Sequence, residues 1–598
     1  MTAQPPSANS SLNHPHSGRL DSWKEIAVYL NRDLRTVQRW EEREGLPVHR
    51  HLHGKQGSVY AFREEIDAWL ASRQPEAKSA SKAAQPNDLE MPISHPVDVP
   101  PKPALRRTLV YATAFALALG AGGTLVWRLI SRRRPSMVHE SQTLAVLPFV
   151  DFSANHSESY MADGLTDDLI TDLGRAGQFP VISRTSVMKF KDSREPLVQI
   201  ARRLRANLII EGTILRSGDH VRITAQLIDA SNDHHLWADR YERDFQNVLT
   251  LQDDVAGDIV ASVEEKLIGN AAPRRAPRPV NPEARVAYLT GRFYWNKRDE
   301  PGLKKAITYF DQAIAKDRSY AAAYSGLADC YNLLSVWGSL TPNEAFPEAR
   351  EDALKAIQLD PDSAEAYTSL AFETYRYQWD FADAEKDFQK AIAINPNYVT
   401  AHQWYGEFLG DIRRFDQGSA ELRKAQQLDP LSPIVGSDLA ACLIHADRYP
   451  EAVSVLQQIL TRQPDYAVAH NYLASAYQNE GDFANSEKER ALYIRLSGDT
   501  GYGEAVRVGH EWASGKKERA RRDMEALLAN MKEGRFGYVQ MALMYASVGD
   551  KNKAFECLDK AYRQHSWWLV TMEVEPGFAP LRSDPRFQQL ERRVGLPQ

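Results

Sequence analysis

AIAINPNY, Ala391 to Tyr398, is one instance of a phrase that returns along the second half of the chain. AIAKDRSY begins at Ala313, AIQLDPDS at Ala356, KAQQLDPL at Lys424 and QQILTRQPDY at Gln457. Pro361, Pro396, Pro430 and Pro464 lie 35, 34 and 34 residues apart. A period of that length holds two helices and their turns, and the proline closes the second helix because it cannot continue one. Other positions keep phase. Small residues (Ala306, Ala384, Ala452, Ala554) suit a close helix crossing, and Phe310, Phe388, Leu422, Leu456 and Leu558 form a ridge. Ala313, Ala356, Ala391, Ala425 and Ala561 make the next contact, and Tyr324 with Leu327, Tyr367 with Leu370, and Tyr538 with Met541 fall on first helices. All are expected in the core, since one hairpin cannot bury its own apolar face and must stack on the next.

This pattern resembles the tetratricopeptide repeat. The resemblance implies an all-α solenoid over residues 283–565, about six to eight units, binding a protein or peptide partner. VWGSLTPNEAF stretches the first full unit, and the pattern fades between Arg490 and Glu533. Residues 566–598 are expected to cap the array, with His565, Trp567 and Trp568 as capping or partner-contacting groups.

The chain of 598 residues is too long for one core, and 43% hydrophobic with 25% charged residues describes a folded protein of several domains. A net charge of -6 confines any polyanion-binding surface to a local patch. Cys330, Cys442 and Cys557 stand far apart, so neither a disulfide framework nor a thiolate metal site is expected. No phosphate-cradling glycine motif and no paired metal-binding aspartates occur. No catalytic residue, cofactor or metal is therefore assigned, and the chain is read as no enzyme. Thr108 to Trp127 carries no charge and is fenced by Arg106, Arg107 and Arg128. It is long enough to cross about 30 Å of hydrocarbon, so residues 108–130 are expected to form a single transmembrane helix in the lipid bilayer.

Ahead of it, residues 1–18 are expected to be disordered and 76–105 to be a Pro/Ala-rich linker. Between them, Asp21 or Ser22 can cap a helix through Leu30 that turns Trp23, Ile26, Ala27 and Leu30 to one side. A second helix starts near Leu34 or Arg35, buries Val37 and Trp40, and stops at Gly45 before Pro47. A strand over Ser58–Phe62 and a helix over Arg63–Leu70 follow. Helix, turn, helix, basic wing and closing helix is the order of a winged helix-turn-helix over residues 19–75. TVQRWEEREGLPVHR, Thr36 to Arg50, resembles the small winged helices of the MerR and excisionase type. The resemblance implies double-stranded DNA as partner, with Arg35, Thr36, Gln38, Arg39 and Arg43 in the major groove and Arg50, Lys55 and Gln56 at the wing. Glu41, Glu42 and Glu44 leave this module nearly neutral, and His49, His51 and His53 alternate as exposed wing residues.

Residues 141–267 change to an α/β rhythm. LAVLPFVDF (Leu144–Phe152) reads as a buried strand, Tyr160–Gly177 as an amphipathic helix and FPVISRTSVMKF as a second strand. VQIARRLRANLIIEGTI turns from helix into strand, Val221–Glu242 holds another strand, and LQDDVAGDIVASVEEKL closes with a helix covering a small mixed sheet. VLPF (Val146–Phe149), ADGLTDDLI (Ala162–Ile170), ISRTSV (Ile182–Val187), EGTILRSGDHVRITAQLIDA (Glu211–Ala230) and HLWADRYERD (His235–Asp244) resemble the module that precedes repeats in bacterial tetratricopeptide proteins, some attached to adenylate cyclase domains. The outline is similar to the N-terminal domain of TolB. Asp163, Asp167, Asp168 and Asp172 share a helix face without a second cluster to complete a site, so a solvated face is expected; His234 and His235 read as surface groups.

The fold class is therefore multidomain: winged helix-turn-helix, single transmembrane helix, small α/β domain and tetratricopeptide solenoid. The order resembles one-component membrane regulators. It implies a single-pass protein of the bacterial inner membrane, N-terminus cytoplasmic and C-terminal region periplasmic, in which partner binding alters clustering or homodimerisation of DNA-binding heads. The alternative is a non-enzymatic scaffold that assembles a complex through its repeats.

Overall fold

The computed structural model describes residues 19–71 apart from 21, 31, 33–36, 39, 42–45 and 51–58; 142–268 apart from 155–158 and 245–247; and 280–597 apart from 338, 499–501 and 531–536. The chain divides near residue 122 into two units.

In the first, β1 (Arg19–Leu20) and β2 (His49–Arg50) flank β3 (Val59–Phe62), both antiparallel to it. Helix Trp23–Leu30 begins where Ser22 Oγ accepts the Glu25 N–H at 3.2 Å, and helix Arg63–Ala71 follows β3 directly. Leu20, Ile26, Val37, Leu46, Ala61 and Ile66 form one core, closed by the Trp40 and Trp69 rings 5.5 Å apart. Tyr29 ties the helices by donating its hydroxyl to Asp67.

The second unit opens with a five-stranded mixed sheet. β4 (Leu144–Val146) and β5 (Val150–Asp151) run parallel to β6 (Leu208–Ser217), and β7 (His220–Asp229) and β8 (His234–Asp244) continue antiparallel. Leu147–Phe149 lie outside strand geometry, and Pro148, which has no N–H to give a ladder, divides LAVLPFVDF into two short strands. The second expected strand is corrected further: only Val181 bridges Leu144, after which Ser183 Oγ caps helix Arg184–Val187 by accepting the Ser186 N–H. A local side-chain cap outcompetes the sheet there. Helices Ser159–Ala176 and Val248–Ile268 bury one sheet face through Leu165, Leu169, Leu173, Val255, Ile259 and Val263; Leu197–Leu204 covers part of the other.

Among the described residues, eight helical hairpins follow. Hairpin 1 is Pro282–Trp295 with Glu300–Lys316, hairpin 2 Ala321–Val336 with Pro342–Leu359, hairpin 3 Ala364–Glu373 with Phe381–Ile394, and hairpin 4 Val399–Asp411 with Phe415–Leu428. Hairpin 5 is Pro433–His445 with Tyr449–Arg462, hairpin 6 Ala467–Asn479 with Phe483–Ser497, hairpin 7 Tyr502–Ala513 with Lys517–Asn530, and hairpin 8 Gly537–Ser547 with Lys551–Arg563. The phased positions are core: Ala306, Ala384, Ala452, Ala554, Phe310, Phe388, Leu422, Leu456 and Leu558 have no exposed surface. Within-hairpin turns pass through left-handed backbone at Trp379, Arg413, Asp447, Gly481, Gly515 and Gly549, each 34 residues after the last. His402 and His470, two hairpins apart, brace their turns alike, one nitrogen 2.6 Å from Glu421 or Glu489 and the other against the Pro396 or Pro464 carbonyl. The three cysteines are buried and free.

The array closes on itself. Hairpin 3 carries a π-turn, Thr374–Gln378, after which Trp379 stacks on His565 at 4.8 Å, and Arg376 lies 5.0 Å over Trp567. Trp567, Leu569, Phe578, Phe587 and Leu596 share one core with Phe310, Phe372 and Phe408.

The expectation of a single transmembrane helix is corrected: no helix among the described residues is long and apolar enough to cross a membrane, and residues 108–130, on which it rested, lie outside them.

Candidate functional site

Of the DNA-contacting candidates, Arg35, Thr36, Arg39, Arg43, Lys55 and Gln56 lie outside the described residues. Gln38 follows Val37, which is fully buried, in a helical stretch and is itself half-buried; Arg50 pairs with Val59 in the small sheet. His49, expected as an exposed wing residue, is half-buried: its ring stacks on Tyr60 at 5.1 Å and its Nε2 lies 2.8 Å from Glu65. His51 and His53 lie outside the described residues.

The acidic helix face of the α/β domain is paired rather than freely solvated. Lys191 holds Asp163 at 2.7 Å, Arg184 approaches Asp167 at 3.5 Å, and Arg285 of hairpin 1 holds Asp168. Among the described residues no group of three or more metal-ligating side chains is placed to hold an ion.

The α/β domain docks on two turns of the repeats. Asn397 donates its amide to the Gly174 and Phe179 carbonyls at 3.0 and 3.2 Å and accepts the Val181 N–H at 3.1 Å. At the next turn the Ser183 N–H donates to Leu428 O, Ser186 Oγ donates to Asp429, the Leu431 N–H donates back to Ser186 Oγ, and Lys189 donates to Leu431 O. Leu431 is buried among Ile182, Val187 and Ile200 of the domain. These turns belong to the recurring proline phrase, so the residues that pace the array also carry its neighbour.

Polar side chains link the first helices of hairpins 1 to 5. Arg292 faces Asp329 at 3.6 Å; Ser369 donates to Asp329; Arg376 approaches Glu407 at 3.2 Å and Asp411 at 3.5 Å; Gln403 donates to Asp438 at 2.6 Å. Burial pushes the carboxyls of Asp329 and Asp438 up to about 6 and that of Asp411 up to about 7. Burial and the Asp438 charge also raise Glu407. The lane therefore joins arginines to carboxylates that burial makes reluctant to ionise, and its hydrogen bonds and charges tie each hairpin to the next. Hairpin spacing could have placed these residues on first helices, but no composition or motif sets them apart from ordinary helix polar groups.

Residues 140–257 match the family model of the HilA/YgeH-like transcriptional regulator, second domain, and residues 411–476 match a tetratricopeptide repeat model. Putative adenylate cyclase 3 of Rhizobium meliloti (strain 1021) is 29% identical over 245 residues, 40% of this chain and 42% of that protein. Transcriptional regulator HilA of Salmonella typhimurium (strain LT2) is 19% identical over 305 residues, 50% of this chain and 53% of HilA. The chain spans about half the length of these relatives. Among solved structures, a thermophilic tetratricopeptide protein of Thermus thermophilus is 19% identical with TM-score 0.28, covering 33% of this chain and 99% of that one. The chain thus carries a HilA-like regulator domain followed by tetratricopeptide repeats, which suggest a regulator and protein interaction.

Proposed function

We propose that this protein is a DNA-binding transcriptional regulator whose N-terminal unit reads double-stranded DNA and whose α/β domain and repeats answer to a protein or peptide partner. The observation that carries the reading is the regulator-domain match over residues 140–257 in a chain whose first unit packs helices and a small three-stranded sheet around one core. Arg35, Thr36, Gln38, Arg39 and Arg43 address base edges, while Arg50, Lys55 and Gln56 touch phosphates. The repeats hold the partner, and the docked turns at Asn397 and Leu431 pass its arrival to the α/β domain. The protein works without catalysis of its own.

Transcript profiles of cells making the full chain, or the chain with Arg35→Ala and Arg39→Ala at equal abundance, test this. A defined set of transcripts should change with the first and stay at background with the second. Equal profiles for the two chains would remove the DNA-reading role and leave the scaffold reading.

A further inference from the structure

The sheet of the α/β domain ends on an open strand. β8 is eleven residues long, pairs only with β7, and among the described residues no strand covers its outer edge. Unpaired N–H and C=O groups along such an edge can template a further strand. Exposed long edges are ordinarily blunted by proline, by bulges or by like charges. β8 contains no proline, its irregularity lies against β7 near Leu227 and Ile228, and its charges alternate in sign: Asp239, Arg240, Glu242, Arg243, Asp244.

We propose that β8 is a homodimer interface, pairing antiparallel with β8 of a second copy so that one sheet runs through both. Two-fold symmetry limits the registers that can pair the charged stretch 239–244 with itself, because a residue and its opposite must point to the same sheet face, which requires the axis to pass beside one residue facing its own copy. Centred on Asp239, Arg240 or Glu242, that rule sets like charges directly opposite. Centred on Arg243 it does so again, and also brings Glu242 against Asp244. Centred on Tyr241 it sets Arg240 against Glu242 and Asp239 against Arg243, each twice by symmetry, which makes four opposite-charge pairs across five residues.

The faces agree. Tyr241, opposite Ile223 in β7, is buried toward the helices and shares its face with Asp239 and Arg243; Arg240 and Glu242 share the open face with Thr224 and Arg222. Glu242 keeps most of its side chain in solvent, 60% exposed beside Arg222 at 2.9 Å, so it can take a second cation. Arg243, 45% exposed and 3.2 Å from Asp258, can likewise take a second carboxylate. The pairing does not rest on the DNA reading, since a chain that bound no DNA would still associate.

Sedimentation equilibrium of the full chain tests it, with Arg240→Glu, Glu242→Arg and the charge swap carrying both changes. The wild type should be dimeric at micromolar concentration. Each single change sets like charges opposite twice and should raise the dimer Kd about tenfold or more, while the swap restores opposite pairs and should return the Kd to near its starting value. Ala238→Cys with Asp244→Cys, which face each other in this register, should cross-link two chains on mild oxidation, and Ala238→Cys alone should not. A monomeric wild type, singles that dimerise like it, or a swap that stays apart would each overturn the proposal.

Discussion

Ser186→Ala tests the seam between the α/β domain and the repeats. Ser186 has no exposed surface, and its hydroxyl does two jobs there: it donates to the Asp429 carboxylate, itself 4% exposed, and accepts the Leu431 N–H at 3.0 Å. Burial pushes the Asp429 carboxyl up, and hydrogen bonds from Ser186 and Ser183 hold it down. Removing the hydroxyl strips a buried charged acceptor of one donor and leaves a buried amide without an acceptor. A hydrogen bond to a charged group is worth about 1.5–3 kcal/mol and a stranded amide costs about 1 kcal/mol or more, so the loss should be about 3 kcal/mol. Urea unfolding followed by fluorescence measures it, and Ser186→Ala, Asp429→Ala and the pair complete a double-mutant cycle. Because each single change spoils the same contact, the pair should cost less than the sum by about 1.5 kcal/mol or more. A single-change loss under about 0.5 kcal/mol, or additivity within about 0.5 kcal/mol, would refute the seam as drawn.

Three further outcomes follow from the same geometry. Gly326→Ala puts a methyl 2.6 to 2.8 Å from three carbons of the fully buried Phe310 ring, and should cost about 1–3 kcal/mol by thermal unfolding; an unchanged Tm would contradict that packing. Asp447→Gly places glycine at a left-handed position, φ 57°, that hairpins 6 to 8 already fill with glycine, and should gain about 0.5–1 kcal/mol; a loss would show that the Tyr449 hydroxyl bond to Asp447 outweighs the backbone term. Burial lifts the Asp411 carboxyl to about 7 from an ordinary 3.8, so its stabilising protonated form is complete below about pH 4 and lost as pH rises through about 7. Within that window one proton gives at most about 1.4 kcal/mol per pH unit, and Asp411→Asn should flatten the stability profile by that slope; parallel profiles for the two chains would contradict it.

The solenoid was readable because stacking imposes one requirement every turn of the repeat, and alanines and aromatics recur at that interval. Where the apolar pattern weakens, hairpin 7 was still marked by Gly481, Gly515 and Gly549 at even spacing, a backbone signal rather than a hydrophobic one. FPVISRTSVMKF misled because its apolar content suits a strand while Ser183 caps a helix. The seam left no trace in local pattern: Asn397 and Gly174 stand 223 residues apart, and each looks like a turn residue. The acidic face of Ser159–Ala176 looked solvated because its cations, Lys191, Arg184 and Arg285, come from other elements. Near the candidate DNA contacts, the burial of Val37 follows from apolar spacing, the strand that carries Arg50 does not, and base recognition depends on side chains that no spacing rule orients.

Selection of genomic DNA fragments by the full chain, at two salt concentrations and beside the chain carrying Arg35→Ala and Arg39→Ala, tests the central claim most directly. A regulator recovers a defined sequence that survives the higher salt, and the double change abolishes that preference. Weak binding without preference, unaltered by the two arginines, would contradict the claim and leave the repeats and their partner as the function.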